Sequence, residues 1–323
     1  MRRRFFTAVW ILAGLQVAAV SRAQIGLETV IPTPAAPPPR LGGYLQFRET
    51  NVSPTGLTAT LNRARLSADG TLQMHFSYRV LVEYQAASGA RTPATVSLRE
   101  AYARWSYYPV TFTFGQNKTP FSREYLIPVT ALETADLATV VDSLTTKYDI
   151  GITGETALSS FGSFAIGVYN GEGQNASLNR DSTVLIVSRL VAHPISQLSI
   201  AGNIGYYSAD SSRYGADAQI DQSGLMLRGE FIGQRKTGRD RDDFGWYTLA
   251  CFRAFPWLQL VGKLEDFQRP SIGQARRISA ATGGTNFDLP GGRTRVIVDF
   301  VSRQSGYPRV KKNALIAQLQ VRF

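Results

Sequence analysis

Arginine and lysine side chains are the residues of this sequence with the clearest capacity for chemistry, because several recur at every second position. Arg63 and Arg65 are separated by Ala64 and followed by Leu66, so charged and apolar residues alternate there. Guanidinium and ammonium groups fixed on one surface attract and orient anions. The spacing, and the entry to one long break in it, nominate nine candidate anion-binding residues: Arg63, Arg65, Arg79, Arg104, Lys118, Arg123, Arg228, Lys263 and Arg295.

Acidic residues share the faces of these cations, which leaves a second interpretation open. A wall arginine that pairs with a neighbouring carboxylate across strands would stabilise the sheet and do nothing to a solute. The acids that alternation assigns to the same faces are Glu83, Glu100, Glu230, Glu265 and Asp299.

Enzymatic chemistry has little support in this sequence. The chain has two histidines, His75 and His193, and neither is accompanied by a pattern that suggests a nucleophile. The single cysteine, Cys251, lacks the paired spacing of a zinc site, and no phosphate-cradling glycine loop is present. We therefore expect a protein without catalytic activity, cofactor or metal, in which Cys251 lies in a strand as a small apolar residue.

The candidate cations lie on segments with the two-residue period of β-strands. In Asn313–Phe323, apolar residues occupy every second position from Leu315 to Phe323, with mostly polar residues between them. Leu72–Gln85 repeats the pattern over a length that exceeds a usual soluble strand and is sufficient to cross a bilayer. This alternation fits either a soluble sandwich or a membrane barrel, whose apolar face meets lipid and whose polar face lines a wet lumen.

The whole chain favours the barrel. Sixteen strand-like segments follow one another between Leu41 and Phe323, and the breaks between them are alternately short and long. Asp69-Gly70 has the composition of a tight hairpin turn before the Leu72–Gln85 strand. We therefore predict an all-β fold, a transmembrane antiparallel barrel of 16 strands formed by residues 41–323.

The N-terminal segment indicates export. Arg2, Arg3 and Arg4 precede an apolar stretch and the sequence Ser21-Arg22-Ala23, which predicts a cleavable signal peptide over residues 1–23. Residues 24–40 are proline-rich and are predicted to form a periplasmic tail. The formal charge of +11 falls to +7 without the four arginines of the signal. Export argues against nucleic acid as a partner, and a basic lumen would favour anions.

One break is far longer than the others. It separates Asn117 from Lys147 and begins with the sequence FGQNKTPFSREYL, which contains Lys118 and Arg123. Its later part, Ala131–Leu144, has mild helical periodicity. We predict that this segment is the third extracellular loop and that it folds inward to narrow the lumen.

The sequence of this break resembles the signature of the phosphate-selective porin O and P family, in which a Gly-Gln-x-Lys-x-Pro-Phe run leads into a constriction loop. Other short motifs follow in the family's order: Arg63–Leu66, Leu98–Tyr102, Asp149–Gly151, Gly167–Gly171, Arg189-Leu190, Gly229-Glu230 and Gly245–Tyr247. Tyr148 stands where the family often has arginine.

The resemblance implies a 16-stranded porin in the outer membrane of a Gram-negative bacterium, assembled as a homotrimer within outer-membrane lipid. The terminal Phe323 is similar to the signal by which the barrel-assembly machinery recognises such chains. The expected function is passive diffusion of small hydrophilic solutes, anionic or neutral, with a preference for anions. A phosphate- or pyrophosphate-specific channel and a plugged structural or adhesive barrel are the alternatives.

Overall fold

A computed structural model describes residues 37–86, 94–176, 178–179, 182–207, 211–239, 241–270, 276–306 and 308–323. The predicted signal peptide and the predicted tail up to residue 36 lie outside these residues.

Sixteen antiparallel strands form one closed barrel, in which every strand pairs with its sequence neighbours and β1 pairs with β16. The predicted barrel of 16 strands is therefore confirmed. The strands are β1 Arg40–Val52, β2 Gly56–Thr71, β3 Phe76–Gln85, β4 Thr95–Tyr107, β5 Val110–Lys118, β6 Tyr148–Ala157, β7 Gly162–Tyr169, β8 Leu185–Ile195, β9 Leu198–Tyr207, β10 Ser211–Gln222, β11 Leu225–Lys236, β12 Asp243–Phe255, β13 Leu258–Arg269, β14 Arg276–Asp288, β15 Thr294–Ser305 and β16 Val310–Arg322.

The alternating sequence explains why these strands close into a barrel. Phe47 and Leu319 face each other across the β1–β16 seam on the outer surface, where both are exposed. Their neighbours Gln46 and Gln320 are buried on the inner face, where the amide of Gln46 donates to Gln320 at 2.8 Å. Strand alternation thus separates an apolar exterior from a polar interior.

The chain end completes the seam. The Gly43 amide donates to the Phe323 carbonyl oxygen at 3.1 Å, and the Phe323 amide donates to the Gly43 carbonyl oxygen at 3.0 Å. Gly43 is required here because a Cβ atom would lie 2.3 Å from the carbonyl oxygen of Arg65 and 2.8 Å from the Phe323 ring. The last strand therefore has a paired edge on both sides.

The predicted hairpin turn at Asp69-Gly70 is wrong. β2 continues through both residues to Thr71, and the turn lies at Leu72–His75, where Met74 and His75 have positive φ. Gly70 instead lies opposite Tyr78, where a Cβ atom would come within 2.4 Å of the tyrosine ring. The glycine accommodates an aromatic neighbour, so the Asp-Gly pair does not mark the turn, and the predicted strand from Leu72 begins at Phe76.

The segment between β5 and β6 contains three short helical elements: α1 at Arg123–Leu126, a 3-10 turn at Val129–Ala131 and α2 at Thr139–Leu144. Among the described residues, no helix has the length and apolar character needed to cross a membrane.

An apolar core packs α2 against the inner face of the barrel. Val140, Val141 and Leu144 of α2 belong to a cluster of buried residues that includes Leu249 and Cys251 of β12. Inward-facing positions of β11–β13 are therefore partly apolar, which departs from the simple rule of a polar lumen.

Candidate functional site

The β5–β6 segment, residues 119–147, which we call the inner loop, is held against one side of the barrel interior by polar contacts. Arg228 of β11 forms two hydrogen bonds of 2.9 Å with Glu133. Lys263 of β13 donates to the Thr134 hydroxyl at 2.9 Å, and Asp299 of β15 accepts from the Ala135 amide at 2.8 Å.

Further contacts continue this docking on either side. Arg123 of the inner loop donates to Asp217 of β10 at 2.6 Å, and Arg48 of β1 donates to Asp136 at 2.8 Å. The Thr139 hydroxyl donates to Glu265 of β13 at 2.7 Å. The contacts therefore extend from β10 through β15 to β1, and the loop is fixed at many points by charge-assisted bonds.

A cavity of about 670 Å³ lies on the other side of the loop, against β1–β5 and the end of β16. The inner loop lines it with Leu126, Pro128, Val129 and Thr130, none of which is charged. The opposite wall contributes arginine, lysine, glutamate and tyrosine side chains. We call the residues 126–130 the loop apex.

Arg322 of β16 lines one edge of this cavity. Six other cations on or beside the cavity form what we call the basic wall: Arg63, Arg65, Arg79, Arg99, Arg104 and Lys118. Three carboxylates stand among them, namely Asp69, Glu83 and Glu100. The wall therefore has an excess of three positive charges, and it faces an uncharged loop apex.

Glu83 is the centre of the tightest group in the basic wall. Its buried carboxylate accepts hydrogen bonds from Arg65 and from Arg99, whose Nε lies at 2.9 Å. Arg63 approaches the same carboxylate at 3.9 Å. One acid thus holds three guanidinium groups, and two positive charges remain uncompensated within the group.

Arg79 is more evenly paired. Its guanidinium group bonds both to Asp69 and to Glu100, the latter at 2.6 Å. Arg104 differs, because its Nε donates to the Thr113 hydroxyl at 3.1 Å and it has no ion-pair partner among the described residues. Lys118 donates through Nζ to the backbone carbonyl oxygens of Tyr125 and Ile127, so its charge meets dipoles rather than a carboxylate.

Tyrosine rings hold several of these cations in place. The Arg104 guanidinium lies 5.0 Å from the centroid of the Tyr102 ring, and the Lys118 Nζ lies 5.1 Å from that of Tyr125. Arg65 has the same relation to Tyr44 at 5.6 Å. Cation–π contacts of this kind fix the direction of a side chain without neutralising its charge.

The structure brings together five of the nine residues nominated from sequence. Arg63, Arg65, Arg79, Arg104 and Lys118 lie in the basic wall. The other four lie elsewhere and make local contacts with acids, loop groups or both: Arg123 with Asp217, Arg228 with Glu133, Lys263 with Thr134, and Arg295 with Asp288 at 2.6 Å.

Arg99 joins the basic wall although the sequence spacing did not nominate it. Strict alternation places Arg99 and Glu100 on opposite faces. A bulge in β4 breaks the alternation, because Leu81 pairs with Glu100 while Val82 pairs with Leu98, which leaves Arg99 as the extra residue. In the sequence, only the adjacent charges of Arg99 and Glu100 hint that both residues face the lumen, and two adjacent charges do not specify a bulge.

The sixteen-stranded architecture has solved counterparts. The anion-selective porin from Comamonas acidovorans matches with a TM-score of 0.66 and 11% identity, over 88% of this chain and 99% of that one. Salmonella typhi OmpF, solved with daunomycin, matches with a TM-score of 0.67 and 13% identity, over 88% and 97%. The trimer form of Vibrio cholerae OmpT matches with a TM-score of 0.65 and 10% identity, over 88% and 99%. At these identities, the similarity shows the fold.

Comparison with curated protein sequences gives no match. The family model described as phosphate-selective porin O and P matches residues 43–197, which extend from β1 to the turn after β8 and include the inner loop and the basic wall. The resemblance indicated by the sequence motifs is therefore confirmed: residues 43–197 of this chain match the phosphate-selective porin O and P family.

Proposed function

We propose that this porin is a passive diffusion channel for small hydrophilic solutes and that it prefers anions. The observation that carries the proposal is the asymmetry of the cavity beside the inner loop. The basic wall has an excess of three positive charges, while the loop apex opposite to it carries none.

The acids of the inner loop could have cancelled this excess, but their contacts direct them away from the cavity. Glu133 binds Arg228, Asp136 binds Arg48, and Asp142 lies 3.0 Å from Lys147. Glu124 is buried and accepts from the Ala138 amide at 2.8 Å. A solute that passes the loop apex therefore meets fixed cations on one side and neutral groups on the other.

The mechanism requires no chemical step. Solutes move down their gradient, and the fixed positive charge raises the local concentration of anions and lowers their barrier. A cation that lies 4 Å from a monovalent anion attracts it by about 1 kcal/mol in bulk water, or by ~4 kcal/mol at an effective dielectric of 20. Such energies favour anions while still allowing rapid release.

Two alternatives make different use of the same features. A phosphate- or pyrophosphate-specific channel would need a closed set of donors, and its support is the family match together with Lys118. A plugged structural or adhesive barrel would need the interior to be filled. The open volume of about 670 Å³ beside the loop apex favours a pore.

The outer membrane of a Gram-negative bacterium is the location that the fold and the family support. We also propose a homotrimer, because the trimer form of OmpT has the same architecture. Outer-membrane lipid and the assembly machinery that inserts barrels are then the expected partners of the exterior and of the terminal strand.

The reversal potential of the purified protein in a planar bilayer, under a roughly tenfold KCl gradient, tests the proposal. The expected sign is that of chloride preference, and it should weaken as salt screens the wall. Cation preference would refute the proposed selectivity, and absence of current would favour the plugged barrel. Block of the chloride current by low phosphate, lost in Lys118→Ala, would support the phosphate channel instead.

A further inference from the structure

A second group of cations lies on the outer surface of the barrel, away from the lumen. Leu264 of β13 is exposed on the apolar exterior, and Asp266 and Gln268 follow it at two-residue intervals on the same face. Ser279 pairs with Asp266, and Arg277 pairs with Gln268, so these β14 residues share that outward face.

Strands β15 and β16 extend the group. Gln304 pairs with Ser279, and Lys311 pairs with Gln304, so the face continues to Lys311. Arg309, in the turn before β16, donates through Nη2 to the Ser279 hydroxyl at 2.8 Å. The cations Arg277, Arg309 and Lys311, which we call the outer patch, are all exposed.

A single carboxylate organises this surface. Asp266 is buried and accepts hydrogen bonds from Arg277 Nε at 2.7 Å, from the Ser279 hydroxyl at 2.7 Å and from Gln268 at 3.2 Å. The shared contacts of Asp266 and Ser279 hold Arg277 and Arg309 close together. Three cations face one buried acid, so the outer patch has an excess of two positive charges.

The position of the outer patch along the barrel is that of lipid headgroups. Trp246 pairs with Asp266 and is exposed on the same face, where an aromatic ring typically marks the membrane interface. Exposed apolar residues, including Leu264, lie on the side toward the barrel centre. A charged side chain that faces lipid costs much free energy at the bilayer midplane and little at the interface. The outer patch lies where this cost is small.

The end of the barrel identifies the leaflet. The outer patch lies at the end that carries the inner loop and the long connection after β7, whereas the connections at the opposite end have two to five residues. Long connections are extracellular in outer-membrane barrels. The patch is therefore expected at the level of the outer leaflet.

We propose that the outer patch binds a phosphate group of a phosphorylated glycolipid in the outer leaflet. The arginine forks supply parallel N–H donors for a phosphate, and Lys311 adds a flexible positive charge. Basic clusters at the membrane surface recognise anionic headgroups in this way. These residues point away from the lumen, so the proposal is independent of the ion preference of the pore.

The test is lipid binding by the purified protein in detergent, measured by native mass spectrometry with lipid A that carries two phosphates. The Arg277→Gln/Arg309→Gln double variant is expected to bind at least tenfold more weakly than the unmodified protein. Arg235→Gln is the matched control, because Arg235 is an exposed cation on β11 outside the patch, and it should bind normally.

Three results would overturn the proposal. The double variant could bind as well as the control, dephosphorylated lipid could bind as well as the phosphorylated form, or inorganic phosphate at the lipid concentration could displace the lipid. The last would identify a free-anion site. Heat-resistant electrophoretic mobility shows that each variant is folded; if the double variant is not, Lys311→Gln should still lose several-fold in affinity.

Discussion

Arg104 is a cation of the basic wall whose charge has no carboxylate partner among the described residues. The Arg104→Gln substitution keeps a donor for Thr113 and removes one of the three excess charges. We expect the ratio of chloride to potassium permeability, obtained from the reversal potential, to fall several-fold. One charge 4 Å from an anion contributes an attraction of ~1–4 kcal/mol. Arg253→Gln is the matched control, because Arg253 is paired with Asp288 at 3.0 Å and does not line the cavity beside the loop apex. Equal shifts in both variants would contradict the role of the wall.

The buried carboxyl group of Glu124 should make the stability of the barrel depend on pH. Burial raises the pKa of this inner-loop carboxyl above its ordinary value of 4.5, so the folded protein favours the protonated form. Between the pKa of Glu124 in the unfolded chain and its higher pKa in the folded chain, the folded state binds more protons than the unfolded state. The free energy of unfolding therefore decreases as pH rises through this range. Above the pKa of the folded state, Glu124 is ionised and the full cost of burying its charge lowers the stability of the protein.

Glu124→Gln should imitate the protonated state and retain an acceptor for the Ala138 amide. We expect the variant to unfold at a higher temperature than the unmodified protein at pH 7.5, and the difference should shrink as pH approaches 4.5. Heat-modifiable electrophoretic mobility across this pH range provides the measurement. A difference between the two proteins that does not change with pH would show that Glu124 is not the titrating group.

At the scale of elements, the inner loop combines an apolar side with a polar one. Val140, Val141 and Leu144 bury against β11–β13, while Glu133 and Thr134 bind wall cations. The apolar contacts hold the loop inside the barrel, and the polar contacts fix which side of the lumen it covers. The position of the basic wall opposite to the loop apex follows from this docking.

The Arg228–Glu133 pair should stabilise the docked loop. Both side chains are largely buried, so removing one partner leaves an uncompensated charge at a cost of about 3–5 kcal/mol. We expect Glu133→Gln to increase open-channel current noise and to change mean conductance. Asp142→Asn removes an exposed loop acid, paired with Lys147 at 3.0 Å, and should leave the current trace unchanged. Quiet, unaltered currents in Glu133→Gln would mean that other contacts suffice.

The whole molecule is a barrel whose outer surface should meet hydrocarbon. Leu315 lies mid-strand on that surface, and an arginine there should cost about 2–4 kcal/mol of unfolding free energy in a bilayer. Leu225 is exposed at the first position of β11, near the interface, where the same substitution should cost about 0–1 kcal/mol. Denaturant unfolding from lipid vesicles measures both, and equal costs would contradict the assignment of the exterior to lipid.

The sequence by itself determined the class of fold and most of the wall. A strand presents alternate residues to opposite faces, so periodicity was enough to assign Arg63, Arg65, Arg79 and Arg104 to a polar surface. The number of strands followed from counting periodic segments, and the family followed from the order of short motifs. Strand periodicity and short motifs are local properties, because each depends only on residues that are close together along the chain.

Only the tertiary structure decided which cations share a cavity and which are neutralised. Arg99 entered the basic wall through a bulge, and Gly70 continued a strand because Tyr78 lies across from it. The sequence nominates Arg123 and Arg228 alongside Arg104, yet Asp217 and Glu133 compensate the first two. The partners lie 94 and 95 residues away along the chain. Such pairings depend on how the loop packs in the closed barrel, which no local pattern encodes.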